Sequence, residues 1–384
     1  MKVIDILKRI EVTYSTKNRE VYAIPIEDQM SYLNSLKEPI NDSERSYNQY
    51  CCQMFSKGKA VKFISNIMCA LLTVFLKAQF INKKVIPSDV ADAVFLADGK
   101  SEDIIPISLR KEYPNIVKES RISYCLTKDD IKYLSDIKAI YPGENIFLFK
   151  ILIKLARYRY LIERFKPKAL IICNEYSFTS SMMRDFCHAN KIKLINVMHG
   201  EKLLHIKDSF FRFDKCYIWD EYYKELFIKL RAYKEQFIIE IPDSFKIPDA
   251  DSFKEIDFTY YLQDENDRDL EIIMENLLRL NRQNCRVAIR PHPRFSNVKH
   301  IREKICGKLE VEDTKLITIH KSLARTKNAI SLCSTVLNQA YYNGINIVID
   351  DVTKPNEYEK LKKLEYIMTY KEHSLLSSYL KNRR

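Results

Sequence analysis

The sequence predicts an α/β protein made of two successive parallel sheets with covering helices. Three observations predict it. Short continuous apolar runs, such as Ala93-Val94-Phe95-Leu96-Ala97 and Lys168-Ala169-Leu170-Ile171-Ile172-Cys173, alternate with helical stretches. Strands of that kind are buried on both faces, which is the habit of parallel sheets. A segment rich in Pro, Asp and Ser, residues 242–252, separates two such series. The expected division is therefore a domain over 1–241, a linker over 242–256 and a second domain over 257–384. Two Rossmann-like domains facing across a cleft are the expected architecture.

The elements follow in order. Tyr22-Ala23-Ile24-Pro25-Ile26 reads as a strand, and residues 44–81 read as one or two helices. The most apolar window, Phe63 to Ile81, reads as a buried helix rather than a membrane span. Ala93–Ala97 is a strand that ends in the turn Asp98-Gly99. A helix is expected from Asn145 to Phe165, stopped by Pro167. The strand ending at Cys173 leads to Asn174-Glu175-Tyr176-Ser177 and a helix over Ser180 to Asn190. Lys193 to Met198 is a strand that ends at His199-Gly200-Glu201. Cys216–Trp219 and Phe237–Ile241 complete the first series, with a helix from Asp220 to Leu230 between them.

The second series opens with the strand Phe258–Leu262, which ends at Gln263. A helix from Asp267 to Asn281 follows, then the strand Val287–Ile289 and the loop Arg290-Pro291-His292-Pro293-Arg294. Both prolines fix φ and push Arg290 and His292 toward extended geometry, which stiffens that loop. Leu316 to Ile319 reads as a strand. Ala329 to Cys333 reads as another, followed by a helix opened by Ser334-Thr335 and closed at Gly344. Ile345–Ile349 ends at Asp350-Asp351, and the last helix is expected from His373 onward.

Composition narrows the function. The chain has 384 residues, 46% hydrophobic and 30% charged, which is an ordinary globular balance. Only 6 Gly occur, and neither Gly-rich phosphate-loop pattern is present, so side chains and helix ends must hold any nucleotide. The net charge of +12 favours anionic partners. The 63 Lys and Arg are scattered, which argues against nucleic acid, although Lys381-Asn382-Arg383-Arg384 is a basic tail suited to a membrane face. The 10 cysteines lack CxxC spacing, which points to a reducing, cytoplasmic compartment without disulfides or a zinc site. The start Met1-Lys2-Val3-Ile4-Asp5 has no apolar secretory core.

Three strand-end motifs carry the chemistry: His199-Gly200-Glu201, Arg290-Pro291-His292-Pro293-Arg294 and Ser334-Thr335. Arg290, His292 and Arg294 are expected to hold a phosphate by charge-assisted donors, joined by the hydroxyls of Ser334 and Thr335 and by the helix they open. Gln263 is expected to face the nucleotide. Such an arrangement stabilises a leaving nucleotide without a metal. The base is sought in the first half, among His199, Glu201, Glu175 and Asp98. His188, His205, His300, His320 and His373 read as surface or core residues.

The His-Pro loop and the Ser/Thr pair resemble the pattern of bacterial sialyltransferases and related Kdo transferases. That resemblance implies the GT-B architecture, a CMP-activated sugar donor, His292 on the phosphate and Ser334-Thr335 on the nucleotide. The family's base is a carboxylate in an acidic-acidic-Gly motif. This chain has Ala97-Asp98-Gly99 there, with a single acid. His199-Gly200 with the later Arg290-Pro291-His292-Pro293 is also similar to CDP-glycerol glycerophosphotransferases, which implies His199 as base. Together the resemblances imply an inverting, metal-independent glycosyltransferase. It would move a nonulosonic, sialic-acid-like sugar from a CMP donor to a glycan or lipid-linked oligosaccharide of a bacterial surface, such as O-antigen, capsule or lipooligosaccharide. Peripheral contact with the cytoplasmic face of the inner membrane is expected, and no cofactor beyond the donor. A CDP-glycerol or UDP-sugar transferase, a nucleotide-sugar epimerase and a non-catalytic polysaccharide export factor remain alternatives.

Overall fold

A computed structural model describes residues 24–81, 83–97, 102–121, 123–247 and 254–381. They form two units. One holds the residues up to His199 together with His205–Ile241; the other holds Gly200–Leu204 together with the residues from Pro242 on.

The first unit is built on a six-stranded sheet of β1 (Ala93–Leu96), β2 (Ile116–Glu119), β3 (Ala169–Ile172), β4 (Lys193–Val197), β5 (Lys215–Ile218) and β6 (Phe237–Ile239). Its order is β2-β1-β3-β4-β5-β6, with every pair parallel. On one face Phe95, Ile171, Ile195, Val197 and Tyr217 pack with Ile105, Leu109 and Tyr113. The helix Asn145–Phe165 forms as expected and buries Leu148, Leu152, Leu155 and Leu161.

The second sheet contains β7 (Ile256–Tyr261), β8 (Val287–Arg290), β9 (Glu310–Val311), β10 (Thr326–Ser331), β11 (Asn346–Ile349) and β12 (Ser374–Leu375). Its order, β12-β11-β10-β7-β8-β9, is again all parallel. From β7 the chain winds outward to β8 and β9, then returns beside β7 with β10 and winds the other way. This is the doubly wound Rossmann order, and it puts the switch point between β7 and β10. The helix Asp267–Arg282 lays Leu270, Ile273, Leu277 and Leu280 on Val287, Ile289, Ile330 and Val348.

Four expectations change. Ile26 opens the helix Ile26–Ser35 instead of ending a strand; Tyr22 and Ala23 lie outside the described residues. Leu316–Ile319 is not a strand. Thr318 accepts the Lys321 N–H and caps the helix Ile319–Ala324, while Leu316 stays exposed. A run of four such residues looks the same before a helix as inside a strand. The end of the chain forms β12 and the short helix Leu376–Leu380 in place of one helix from His373. The helix Lys59–Phe80 forms but is not buried: among its residues only Leu76 and Phe80 are.

Candidate functional site

In a doubly wound sheet, ligands settle outside the carboxyl ends of the strands at the switch point. In the second unit those ends are Gln263 after β7, the loop Pro291–Arg294 after β8, and Cys333-Ser334 after β10. The three loops are tied together. The Gln263 amide donates to the Cys333 carbonyl. Ser296 Oγ donates to the Gln263 carbonyl at 3.3 Å. The His292 N–H donates to Ser296 Oγ at 2.8 Å, and the Ser296 N–H returns to the His292 carbonyl at 3.1 Å. Gln263 is thus the bracket between the two edges of the crevice.

His292 is held in one tautomer. Its Nδ1 accepts the backbone N–H groups of Arg294 at 3.1 Å and Phe295 at 3.3 Å. The proton of the neutral ring therefore sits on Nε2. The ring stacks on Phe295 at 4.5 Å between centroids. Burial lowers its pKa from the ordinary value, Arg294 adds to the effect, and Asp264 opposes it. The ring is best suited to donate one N–H rather than a positive charge. The charge is left to Arg294, which is exposed.

Arg290 was expected beside it on the phosphate, and the structure gives it another task. Its side chain is buried, with Nη1 on the Glu312 carboxylate at 2.8 Å and Nη2 on the Ile317 carbonyl at 3.0 Å. Glu312 is itself fully buried and also faces Arg325 Nε at 3.3 Å. A buried carboxylate needs such cations. Arg290 therefore anchors the base of the loop instead of lining its tip.

Ser334 is the N-cap of the helix Thr335–Tyr341, and its Oγ accepts the Val336 N–H at 3.3 Å. Its own N–H meets the Tyr366 hydroxyl at 3.4 Å. Thr335 lies half-buried beside it.

Glu201, expected in the first domain, lies in the second unit, which takes Gly200–Leu204. Gly200 has φ +72°, a left-handed conformation that glycine adopts without penalty, and the chain changes unit there. The Leu204 N–H bonds the Leu364 carbonyl at 2.7 Å, and the Glu201 carboxylate accepts the Asn338 amide from the helix that Ser334 caps. Glu201 thus stands with the second unit.

In the first unit the switch point lies between β1 and β3. Asp98, after β1, lies outside the described residues. Glu175, after β3, is fully buried and does not open to a crevice. The Gln49 amide holds its backbone carbonyl at 3.1 Å, and the Asn174 N–H bonds the buried Asn196 side chain at 2.8 Å. His199 follows β4 and is half-buried. Of the four base candidates, His199 is the one described in the first unit with exposure to solvent. His205 is half-buried, and burial pushes its pKa down to about 3.

Sequence reading missed Ser296, Asn338 and Tyr366, which are recognisable only through partners far along the chain. It also passed over two Asp-x-Asp spacings, the pattern that in other settings holds a divalent cation. Asp249-Ala250-Asp251 lies outside the described residues. In Asp267-Arg268-Asp269 both acids already have side-chain partners. Asp267 meets His300 at 2.7 Å and Asp269 meets Lys354 at 3.0 Å. Asp350, read as a strand-end loop residue, is buried and accepts from Tyr260 at 2.6 Å and from the Val352 and Thr353 N–H groups at 2.9 Å.

No protein-family model and no curated protein sequence matches the chain. Solved structures do. The UDP-GlcNAc 2-epimerase of Neisseria meningitidis bound to UDP-GlcNAc is 12% identical, covers 77% of this chain and 90% of its own, and gives a TM-score of 0.43. The wall teichoic acid polymerase TagF, soaked with CDPG, is 12% identical over 85% of this chain and 88% of its own, at 0.42. MnaA of S. aureus with UDP is 13% identical over 71% and 82%, at 0.40. At this level of similarity nothing of the neighbours' chemistry transfers to this chain.

Proposed function

We propose that the second unit binds the nucleotide of an activated sugar and that the protein is an inverting glycosyltransferase. The reading rests on one observation: the stitched loops at the switch point, with His292 Nε2–H fixed by two backbone donors and Arg294 beside it. His292 donates to a phosphate oxygen, and Arg294 supplies the charge that Arg290, paired with Glu312, does not. Gln263 and Ser334 are proposed to flank the same phosphate. Thr335 and Glu201 are the polar groups proposed for the nucleoside.

In the reaction, an acceptor hydroxyl oxygen attacks the anomeric carbon while the bond from that carbon to the phosphate oxygen breaks. The electron pair stays on the phosphate, where the His292 N–H stabilises it. The hydroxyl proton goes to a base, for which His199 is proposed. One displacement inverts the anomeric centre. The Ser-Thr and His-Pro motifs support a CMP-linked, sialic-acid-like donor and a bacterial surface glycan as acceptor, with no cofactor beyond the donor.

A thermal-shift series with CMP, CDP, UDP and GDP tests the reading. Binding to the folded state raises the melting temperature. A rise with CMP and none with the others is expected. A rise with UDP alone moves the protein to a UDP-sugar transferase or epimerase, and one with CDP alone moves it to a CDP-glycerol transferase. No rise with any nucleotide removes the enzyme reading in favour of a non-catalytic assembly factor.

A further inference from the structure

The helix Lys59–Phe80 carries an apolar face that no described residue covers. Ile64, Ile67, Leu71 and Val74 recur at helical spacing and share that face with Phe63 and Phe75. Phe63 is 69% exposed, Leu71 70% and Val74 73%. Single exposed apolar residues are ordinary, but a contiguous stripe of this size marks an interaction surface. Between Lys62 and Lys77 the helix has no charged residue. By length and composition it is long enough to cross a membrane.

The opposite side is fastened to the first unit. Asn66 donates to the Gly143 carbonyl at 2.5 Å and accepts the Ile146 N–H at 3.1 Å, at the start of the helix Asn145–Phe165. Leu76 and Phe80 are buried, and Phe80 stacks on Tyr124 at 4.7 Å. The Leu126 N–H bonds the Phe80 carbonyl at 2.9 Å, and Ile81 forms a β-bridge to Leu126. A helix held along its length in this way lies on a membrane rather than through it.

Charge selects the occupant. From Arg45 to Ser88 the chain has no Asp or Glu, while Lys57 and Lys59 precede the apolar stripe and Lys83 and Lys84 follow it. Lys77 stands near Lys138, and burial together with that repulsion lowers its pKa. A second copy of this chain would set the same lysines against each other. An anionic surface with an apolar interior complements both parts.

We propose that this face docks the protein in the plane of an anionic phospholipid bilayer, with the stripe among the acyl chains and the lysines at headgroup level. The surface is independent of the proposed reaction. It also moves the expected membrane contact from the C-terminal basic tail, of which residues 382–384 lie outside the described set, to this helix.

Flotation of the full chain with vesicles tests the proposal. Vesicles containing phosphatidylglycerol are expected to carry the protein up the gradient, phosphatidylcholine vesicles much less, and added salt is expected to weaken the association. The triple variant Ile64→Ser, Leu71→Ser, Phe75→Ser should lose partitioning by about tenfold or more, with its melting temperature retained. If the triple variant melts early, Leu71→Ser alone serves, with a smaller loss expected. Failure to float with any vesicle overturns the proposal, as does equal flotation of the variant. A soluble dimer by light scattering that becomes monomeric in the variant and never floats would assign the face to a second copy.

Discussion

At the scale of the residue, the two arginines of the strand-end loop separate cleanly. Both stand beside His292 in the sequence, and residue type alone makes them equal phosphate ligands. The distinction comes from Glu312, 22 residues beyond Arg290, which neutralises one guanidinium in the interior. Arg290→Ala leaves a buried carboxylate short of a partner and is expected to cost about 3 kcal/mol of stability in denaturant melts. Arg294→Ala should leave those melts unchanged and weaken nucleotide affinity by about tenfold, the size of one charge-assisted hydrogen bond. The reverse pattern, with Arg290 governing affinity and Arg294 stability, would overturn these assignments. His292 was legible as the aimed residue because two prolines frame it. Its tautomer was not, since that depends on how the following turn directs the Arg294 and Phe295 N–H groups.

At the scale of the element, most strands were readable because buried parallel strands are unbroken apolar runs. β2, β9 and β12 escaped notice: they are short edge or near-edge strands that carry polar residues. The helix Lys59–Phe80 was readable as a helix but not as an exposed one. Hydropathy reports what a face prefers, not what covers it. Its underside depends on Asn66, a polar residue that looks like an interruption in the sequence and acts as a fastener in the structure. Asn66→Ala removes both bonds to the Gly143–Ile146 turn and is expected to destabilise the first unit by about 2 kcal/mol, read as a lower melting temperature. An unchanged melt would show that the helix is held by its apolar contacts alone.

At the scale of the whole molecule, the two sheets were foreseeable from two series of strands and the Pro- and Asp-rich interruption between them. The excursion of Gly200–Leu204 into the second unit was not, because the contacts that place it, Leu204 with Leu364 and Glu201 with Asn338, join segments more than a hundred residues apart. That excursion changes the functional account. It leaves His199 with the first unit and Glu201 with the second, and so divides the His-Gly-Glu motif between the two units.

The proposed function places a nucleotide phosphate on His292, in the crevice at the β7–β10 switch point. A crystal structure of the protein with CMP measures it directly. A phosphate oxygen within about 3 Å of His292 Nε2, with Arg294 turned toward the same group and Arg290 still on Glu312, is the predicted result. A nucleotide bound away from the loops of Gln263, His292 and Ser334 would contradict it.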